Sequence, residues 1–409
     1  MPAVYHHRLF LLHWPADKSS QTMLLYGMRV MRELASKLVL FFLPLFLFRI
    51  GESSPIVVPG LNGFQQGMLT IAIYYLISRL LSLVVLIPIG NIIRKIGPER
   101  SFLISQAGYI VYFMTLYKAE DYPWLVFVAA AFETVQIFFW NSYYTLMSVQ
   151  VTKRKMGSNM GVVQFLINVV AMISPIVGGM IVVWFGYPVL FLVGLVCMLV
   201  GMVIAALLKP TRVVDMVSWQ EFFAWMHEAG YRKLAISYAG RYVNDSVLVV
   251  WPLYVFFLLG TVDRVGFLYG LSLFASMMVT YFAGGFLDKY RTKKPFFLSG
   301  GLLSLVWVIK TQLVGFWGIA VVDVFERLTS NFHWLFFDTM FMRRGKGSQA
   351  LSFFVYREVI ISVVALLFWL VFGGMFVWFV DSWKGLFLLA GFGVMLSLLV
   401  KDHKDLDNE

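Results

Sequence analysis

Residues 266–294 read GFLYGLSLFASMMVTYFAGGFLDKYRTKK, an apolar run followed at once by a loop rich in lysine and arginine. An α-helix needs about 20 mainly apolar residues to cross a hydrocarbon core about 30 Å thick. The run from Gly266 to Leu287 is therefore predicted to span a membrane. The loop after it is predicted to be cytoplasmic, because cytoplasmic loops collect lysine and arginine.

The same pattern, an apolar run and then a turn or a charged loop, recurs along the whole chain. Its repetition predicts twelve spans: Arg32–Ile50, Phe64–Ile89, Ser101–Tyr117, Pro123–Val149, Asn159–Phe185, Pro188–Leu208, Leu234–Leu259, Gly266–Leu287, Pro295–Leu313, Phe316–Met342, Leu351–Val380 and Trp383–Val400. Lysine and arginine concentrate in alternate loops, which predicts that both termini are cytoplasmic. The predicted order is a cytoplasmic tail (1–30, unless the chain starts at Met23, Met28 or Met31), a six-helix bundle (31–208), a polar amphipathic connector (209–233), a second six-helix bundle (234–400) and a short cytoplasmic tail (401–409).

Composition supports a membrane protein over a soluble one. Of the 409 residues, 60% are hydrophobic and 13% are charged, and a soluble chain of this length needs far more charge to cover its surface. The net charge of +11 sits in short runs between apolar stretches, which indicates membrane topology rather than nucleic-acid binding. Cys197 is the single cysteine, so neither a disulfide nor a cysteine zinc site is expected.

The two halves of the chain resemble each other. Sequence landmarks recur in the same order: Gly90 with Gly284, Phe132-Glu133 with Phe325-Glu326, Gly178-Gly179-Met180 with Gly373-Gly374-Met375, and Pro44 with Pro252. Such recurrence indicates a duplicated six-helix unit. Two six-helix repeats are what a carrier needs if two bundles rock around a central site.

The loops after the second and eighth spans carry a family signature. In the second half Gly284 is followed by Asp288 and Lys289, and in the first half Gly90 is followed by Arg94 and Gly97. This pattern resembles the loop signature of the major facilitator superfamily, although Arg94 stands where the family has an acidic residue. The resemblance implies an all-α membrane fold of twelve helices in two pseudo-symmetric bundles. It also implies a conformational latch at these loops: Gly90, Arg94, Gly97, Gly284, Asp288 and Lys289.

Several polar side chains fall at depths where lipid would be expected. A charge at the bilayer centre costs at least ~2.5–3.5 kcal/mol, so such residues usually face a cavity or a partner. The predicted candidates for binding substrate or a coupling ion are Glu133, Trp140 and Asn141 in span 4, Gln164 and Asn168 in span 5, Arg241 and Asp245 in span 7, Glu326 and Arg327 in span 10, and Arg357 in span 11.

Among these candidates, Glu133 and Asp245 have no evident partner in their own helices. A buried carboxylate of this kind suits a proton carrier, with Arg241 or Arg327 as the competing positive charge. Asp323 and Arg327 are predicted to form an ion pair within one helix, and His333 is more often a packed, hydrogen-bonded side chain than a proton relay. The register of Pro44 and Pro252 also predicts a contact between Lys37 and Asp245 across the pseudo-twofold axis.

The predicted function is secondary active transport of a small solute by alternating access, coupled to protons. An uncoupled facilitator and a lipid or drug exporter of the same fold are the alternatives. A membrane enzyme is disfavoured because the sequence has no HExxH, no GxxxxGK and no paired histidines within a span, and a channel usually gains its pore from oligomer symmetry. We expect a monomer in the cytoplasmic membrane whose partners are the lipid bilayer, a small-molecule substrate and protons, with no nucleic acid, cofactor or metal.

Overall fold

The chain folds into twelve spans of α-helix in a computed structural model that describes residues 20–54, 58–150, 156–211, 215–287, 294–313, 315–345, 349–379 and 382–400. The helices are α1 (Ser20–Ala35), a π-helical turn (Ser36–Leu40), α2 (Leu43–Ser53), α3 (Gly63–Ile96), α4 (Pro98–Lys118), α5 (Leu125–Glu133), α6 (Gln136–Gln150), α7 (Met156–Ala206), α8 (Trp219–His227), α9 (Ala229–Leu259), α10 (Val262–Leu287), α11 (Lys294–Lys310), α12 (Phe316–Arg344), α13 (Ala350–Trp378) and α14 (Trp383–Ser397).

These helices map simply onto the spans. Span 1 combines α1, the π-helical turn and α2, and span 4 combines α5 and α6. Helix α7 holds spans 5 and 6, which separate at Gly186, where φ is 81°. Only glycine adopts that backbone readily, and Pro188 then restarts the helix. Spans 2, 3 and 7 to 12 are α3, α4, α9, α10, α11, α12, α13 and α14, with α8 in the connector.

Length and hydropathy mark six described helical segments as able to cross a membrane. These are Gln21–Ser53, Gly63–Ile96, Leu125–Ser148, Phe165–Ala206, Ala229–Leu259 and Ala350–Trp378, and the shorter apolar helices Phe296–Lys310 and Trp383–Ser397 accompany them. Span 10 is less apolar because it carries Asp323, Glu326 and Arg327. Apolar side chains cover the outer surface, as lipid requires: Val84 and Val203 are 64% and 65% exposed.

Two long helix pairs join the halves. Spans 2 and 11 pack side by side; at one end Gly90 lies against Val355, and at the other Gly373 lies against Ala72. Spans 5 and 8 form the second pair. There the backbones meet so closely that a Cβ on Gly266 would lie 2.2 Å from the carbonyl oxygen of Pro175. Small residues permit such close approach in membranes.

The glycine landmarks of the repeat lie on these two pairs. Gly179 of span 5 faces the start of span 8 at Val262, and Gly373 of span 11 faces span 2. These two glycines are not counterparts in the repeat: Gly373 corresponds to Gly178, which lies against Leu38 and Phe42 of span 1.

The predicted start of span 1 was wrong. Helix α1 begins at Ser20, not Arg32, so residues 20–30, assigned to a tail, are helical, and Leu25 and Met28 are fully buried. Span 7 likewise begins at Ala229 rather than Leu234. Residues 1–19 and 401–409 lie outside the described residues.

Candidate functional site

Span 4 breaks at the predicted midplane carboxylate. Helix α5 ends at Glu133 and α6 begins at Gln136, and the N–H groups of Thr134 and Val135 donate to carbonyls three residues back. The tighter turn redirects the helix there without proline or glycine. The break lies between the span 4 candidates Glu133 and Trp140.

Glu133 is buried and weakly partnered. Its side chain accepts a hydrogen bond from Nε2 of Gln136 at 3.2 Å and lies 3.8 Å from a guanidinium nitrogen of Arg79. Its Oε2 is buried without a hydrogen-bond partner. The expectation of no partner within its own span was therefore wrong, because Gln136 lies one turn along. One oxygen of the carboxylate nevertheless remains unsatisfied.

Arg79 connects this carboxylate to the other half of the molecule. It is at the middle of α3, and its guanidinium lies 5.7 Å from the ring of Tyr242 in span 7. Glu358 of span 11 also acts on it electrostatically, and its Nε is buried without a partner. The pair of Glu133 and Arg79 therefore lies at the boundary between the two bundles.

Span 7 carries a second charged group. The predicted lack of a partner for Asp245 was wrong, because Arg241, four residues earlier, lies 3.4 Å from its Oδ2. Arg241 also pairs with Asp338 of span 10, a carboxylate that the sequence analysis did not single out. Asn244 donates to Oδ1 of Asp245 at 3.3 Å and accepts from Nε1 of Trp307 at 2.8 Å. Asp245 is thus fixed by its neighbours more firmly than Glu133.

A third group lies inside the second bundle. Asp323 pairs with Arg327 at 3.4 Å, which confirms the predicted in-helix ion pair. Lys310 of span 9, which the sequence analysis missed, lies 3.4 Å from Asp323 and 3.9 Å from Glu326. Its ammonium also lies 3.8 Å from the centre of the Trp251 ring. Lys310 ends its helix, so by sequence it resembles an interfacial lysine. Glu326 therefore has a cationic partner on another helix.

Arg357 lies where the bundles meet at span 11. It pairs with Glu358, and its guanidinium lies 4.3 Å from the ring of Tyr144 in span 4 and 5.6 Å from that of Tyr238 in span 7. Rings from both halves thus enclose one cation. Together with Arg79, this arginine places positive charge along the interface between the bundles.

The remaining candidates differ in setting. Asn141 is fully buried, and both of its amide atoms lack a partner. Trp140 packs under Arg29, whose guanidinium lies 4.0 Å from the ring. Asn168 is half-buried, and the side chain of Gln164 lies outside the described residues. The unsatisfied amide of Asn141 makes it the strongest polar candidate beside Glu133.

Three further charged residues of span 1, Arg29, Arg32 and Glu33, escaped the sequence analysis. Arg29 pairs with Glu33 at 2.8 Å, and the buried guanidinium of Arg32 lies 3.5 Å from the ring of Tyr109. Their signal was present as a charged run, but it was assigned to the tail or the span edge. Inside the first bundle these charges contact each other or an aromatic face, and Nε of both arginines is buried without a hydrogen-bond partner.

Two predicted contacts have different outcomes. Among the described side chains, no ion pair joins Lys37 to Asp245; Asp245 pairs with Arg241 instead. His333 is buried, stacks on Phe296 with ring centroids 4.6 Å apart, and lies 2.7 Å from the hydroxyl of Ser397. The expectation of a packed, hydrogen-bonded histidine is confirmed.

The predicted latch residues are only partly described. Gly90 packs against Val217 and Val355. Arg94 and Gly97 line a cavity of about 700 Å³ together with Glu99 and Arg100. Gly284 lies within α10, whereas Asp288 and Lys289 lie outside the described residues. A latch at Asp288 remains a prediction.

Comparison with known proteins agrees with this architecture. Residues 23–218 match the family model of the Major Facilitator Superfamily. The in meso crystal structure of the POT family transporter PepTSo superposes with a TM-score of 0.67 at 10% identity, covering 93% of this chain and 97% of that chain. No curated protein sequence matches the chain. The first half of the chain therefore resembles the Major Facilitator Superfamily of transporters in sequence, and nearly the whole chain has the fold of that superfamily.

Proposed function

We propose that the protein is a secondary active transporter that moves a small solute across the cytoplasmic membrane by alternating access and is driven by protons. The observation that carries this proposal is the pair of Glu133 and Arg79. The pair is buried, its two charged groups are 3.8 Å apart, and one carboxylate oxygen has no hydrogen-bond partner. An ionised carboxylate in such a place is costly unless it is used.

The pair is placed to link protonation to bundle motion. Neutralising Glu133 would free Arg79 from its own bundle; in the second bundle, the ring of Tyr242 lies 5.7 Å from the same guanidinium and Glu358 acts on it electrostatically. Protonation would thereby change which bundle holds the cation. A change in charge at this boundary favours one arrangement of the bundles over the other, which is what coupling requires.

The other buried charges support a narrower role for Asp245. Arg241 and Asn244 contact it, and Arg241 also pairs with Asp338 of span 10, so it is better suited to hold spans 7 and 10 together through Arg241 than to exchange a proton freely. We therefore rank Glu133 before Asp245 as the proton carrier. Both termini are expected to be cytoplasmic and the protein is expected to act as a monomer.

The test needs a substrate and a gradient. Purified protein is screened for thermal stabilisation by metabolite and drug libraries, and a stabilising compound is then used as the labelled solute in proteoliposomes. We expect uptake above equilibrium when an inward proton gradient is imposed, and its collapse when a protonophore is added. Uptake that only equilibrates, with or without the gradient, would instead establish an uncoupled facilitator. That alternative keeps the fold but gives Glu133 a structural role.

A further inference from the structure

The connector between the bundles forms an ordered strap at the basic-loop face, the face that carries Arg94, Lys95 and Arg100. We define the strap as residues 215–221, which run from an extended segment into the first turn of α8. It lies between the end of span 2 and the start of span 11. Hydrogen bonds fix it to both, so it bridges the two halves of the molecule.

The attachment to span 11 begins with a capping interaction. The N-cap residue of α13, Gln349, makes no side-chain capping bond. Asp215 takes that role from outside the helix: its Oδ2 accepts from the backbone N–H of Ser352 at 2.7 Å, and its Oδ1 accepts from the Ser352 hydroxyl at 2.7 Å. A carboxylate at a helix N-terminus meets unpaired N–H groups and the positive end of the helix dipole.

Further bonds extend this attachment. The hydroxyl of Tyr356 accepts from the N–H of Ser218 at 3.1 Å and lies 3.0 Å from the Ser218 carbonyl and 2.7 Å from Oε2 of Glu221. Gln349 donates to the other oxygen of Glu221 at 3.1 Å. Two carboxyl groups of the strap therefore make four hydrogen bonds with span 11, in addition to those between Tyr356 and the backbone of Ser218.

The attachment to span 2 is slighter. It consists of one neutral side chain, Asn91, whose Nδ2 donates to the carbonyl of Val217 at 2.9 Å and whose Oδ1 accepts from the Val217 N–H at 3.3 Å. Val217 itself is 1% exposed and packs against Gly90 on one side, where a Cβ would approach its side chain to 3.1 Å. Ile137 of span 4 belongs to the same apolar cluster.

We propose that the strap is a latch that stays bound to span 11 and releases span 2 when the basic-loop face opens. The proposal rests on the alternating access proposed above. Bundles that rock apart at this face must break one of the two attachments, and the attachment through Asn91, which has fewer hydrogen bonds, is the weaker. The bonds to span 2 are made by the backbone of Val217 and need no acidic side chain. They can therefore hold this face closed although Arg94 stands where the loop signature has an acidic residue.

Two cross-links distinguish the two attachments. In a Cys197→Ala background, one variant joins strap to span 11 (Asp215→Cys with Ser352→Cys), and the other joins strap to span 2 (Asn91→Cys with Val217→Cys). Each variant is reconstituted in nanodiscs, and its two introduced cysteines are joined with a short bifunctional thiol reagent. The added reporter Ile137→Cys is then labelled with a soluble maleimide, and its rate reports the opening of this face.

We expect the link to span 11 to leave the reporter rate within about twofold of the open-thiol protein, and the link to span 2 to lower it by about tenfold. The same decrease in the labelling rate with both links would overturn the proposal, and so would an unchanged rate with both links. A reporter that is unreactive even before cross-linking would instead show that the face does not open, which would count against alternating access itself.

A measurement without cross-links completes the test. Asn91→Ala should raise the labelling rate of the reporter by about tenfold, whereas Gln220→Ala, at an exposed position on the strap, should leave it unchanged. An unchanged rate in Asn91→Ala would also overturn the latch.

Discussion

The ammonium of Lys310 lies 3.4 Å from Oδ1 of Asp323, and neither side chain has any exposed surface. The pair joins spans 9 and 10 inside the second bundle. Removing one partner of a buried ion pair leaves an uncompensated charge, which typically costs about 3–5 kcal/mol. Lys310→Met should therefore lower the thermal unfolding midpoint of the purified protein sharply.

A matched control separates this effect from the loss of a lysine in general. Lys384 is exposed at the start of α14, and Lys384→Met should leave the midpoint nearly unchanged. Adding Asp323→Asn to Lys310→Met should restore part of the loss, because the charge left behind is removed. A Lys310→Met protein as stable as wild type would show that the pair contributes nothing.

The contact between spans 5 and 8 makes a second prediction. A methyl group on Gly266 would meet the backbone carbonyl of Pro175 at 2.2 Å, so Gly266→Ala must push the helices apart. Overpacking of this kind costs about 1–3 kcal/mol. Gly301→Ala in α11 is the control, because nothing lies within 4 Å of the added Cβ; it should be neutral or slightly stabilising in the same melting experiment. Equal stability of the two variants would contradict the close approach.

The docking of the strap should depend on pH through Asp215. Burial raises the pKa of this carboxyl, Glu221 acts in the same direction, and the hydrogen bonds donated by Ser352 oppose them without cancelling the rise. The docked carboxyl therefore holds its proton more tightly than the released one. By linkage, docking is strongest below the ordinary aspartate pKa of about 4 and weakens as pH rises through the raised value.

Hydrogen–deuterium exchange of the first turn of α13 can follow this docking. Exchange at Ser352 should increase as pH rises above about 4, after correction for the intrinsic pH dependence of exchange. Asp215→Asn keeps an acceptor for the Ser352 N–H but cannot ionise, so its protection should no longer change with pH. A pH dependence that persists in Asp215→Asn would assign the effect to another group.

Topology supplies a fourth prediction. In a Cys197→Ala background, single cysteines at positions 154, 292 and 345 should react only from the cytoplasm, and those at 120 and 263 only from outside, because lysine and arginine mark the cytoplasmic loops. Impermeant maleimide on intact cells checks this. Labelling of the first group from outside would invert the orientation.

Most of the fold could be predicted from the sequence because lipid imposes it. A helix must be long and apolar to cross the membrane, so a run such as that from Gly266 to Leu287 can be recognised as a span from the sequence alone. Prediction failed where that signal was interrupted: Arg29, Arg32 and Glu33 interrupt span 1, and their charges are satisfied by each other and by aromatic rings that no local pattern reveals.

The candidate site was less predictable for the same reason. Spacing alone indicated Asp323 with Arg327, and it could also have indicated Arg241 with Asp245, which are likewise four residues apart. The pairs of Glu133 with Arg79 and of Lys310 with Asp323 join different helices, so only the packed structure brings them together. The pairing of Asp338 with Arg241 and the strap bonds of Asn91 and Asp215 also join residues far apart in the sequence, so residue spacing could not predict them.

The central claim is that Glu133 carries the coupling proton, and one comparison tests it most directly. Gradient-driven uptake and substrate counterflow are measured in proteoliposomes for wild type, for Glu133→Gln and for the control Glu120→Gln, whose side chain is exposed. Counterflow exchanges labelled for unlabelled solute and needs no net proton movement. The account predicts that Glu133→Gln loses gradient-driven accumulation by at least about tenfold while counterflow persists, and that Glu120→Gln behaves as wild type. Undiminished accumulation in a folded Glu133→Gln protein would contradict it.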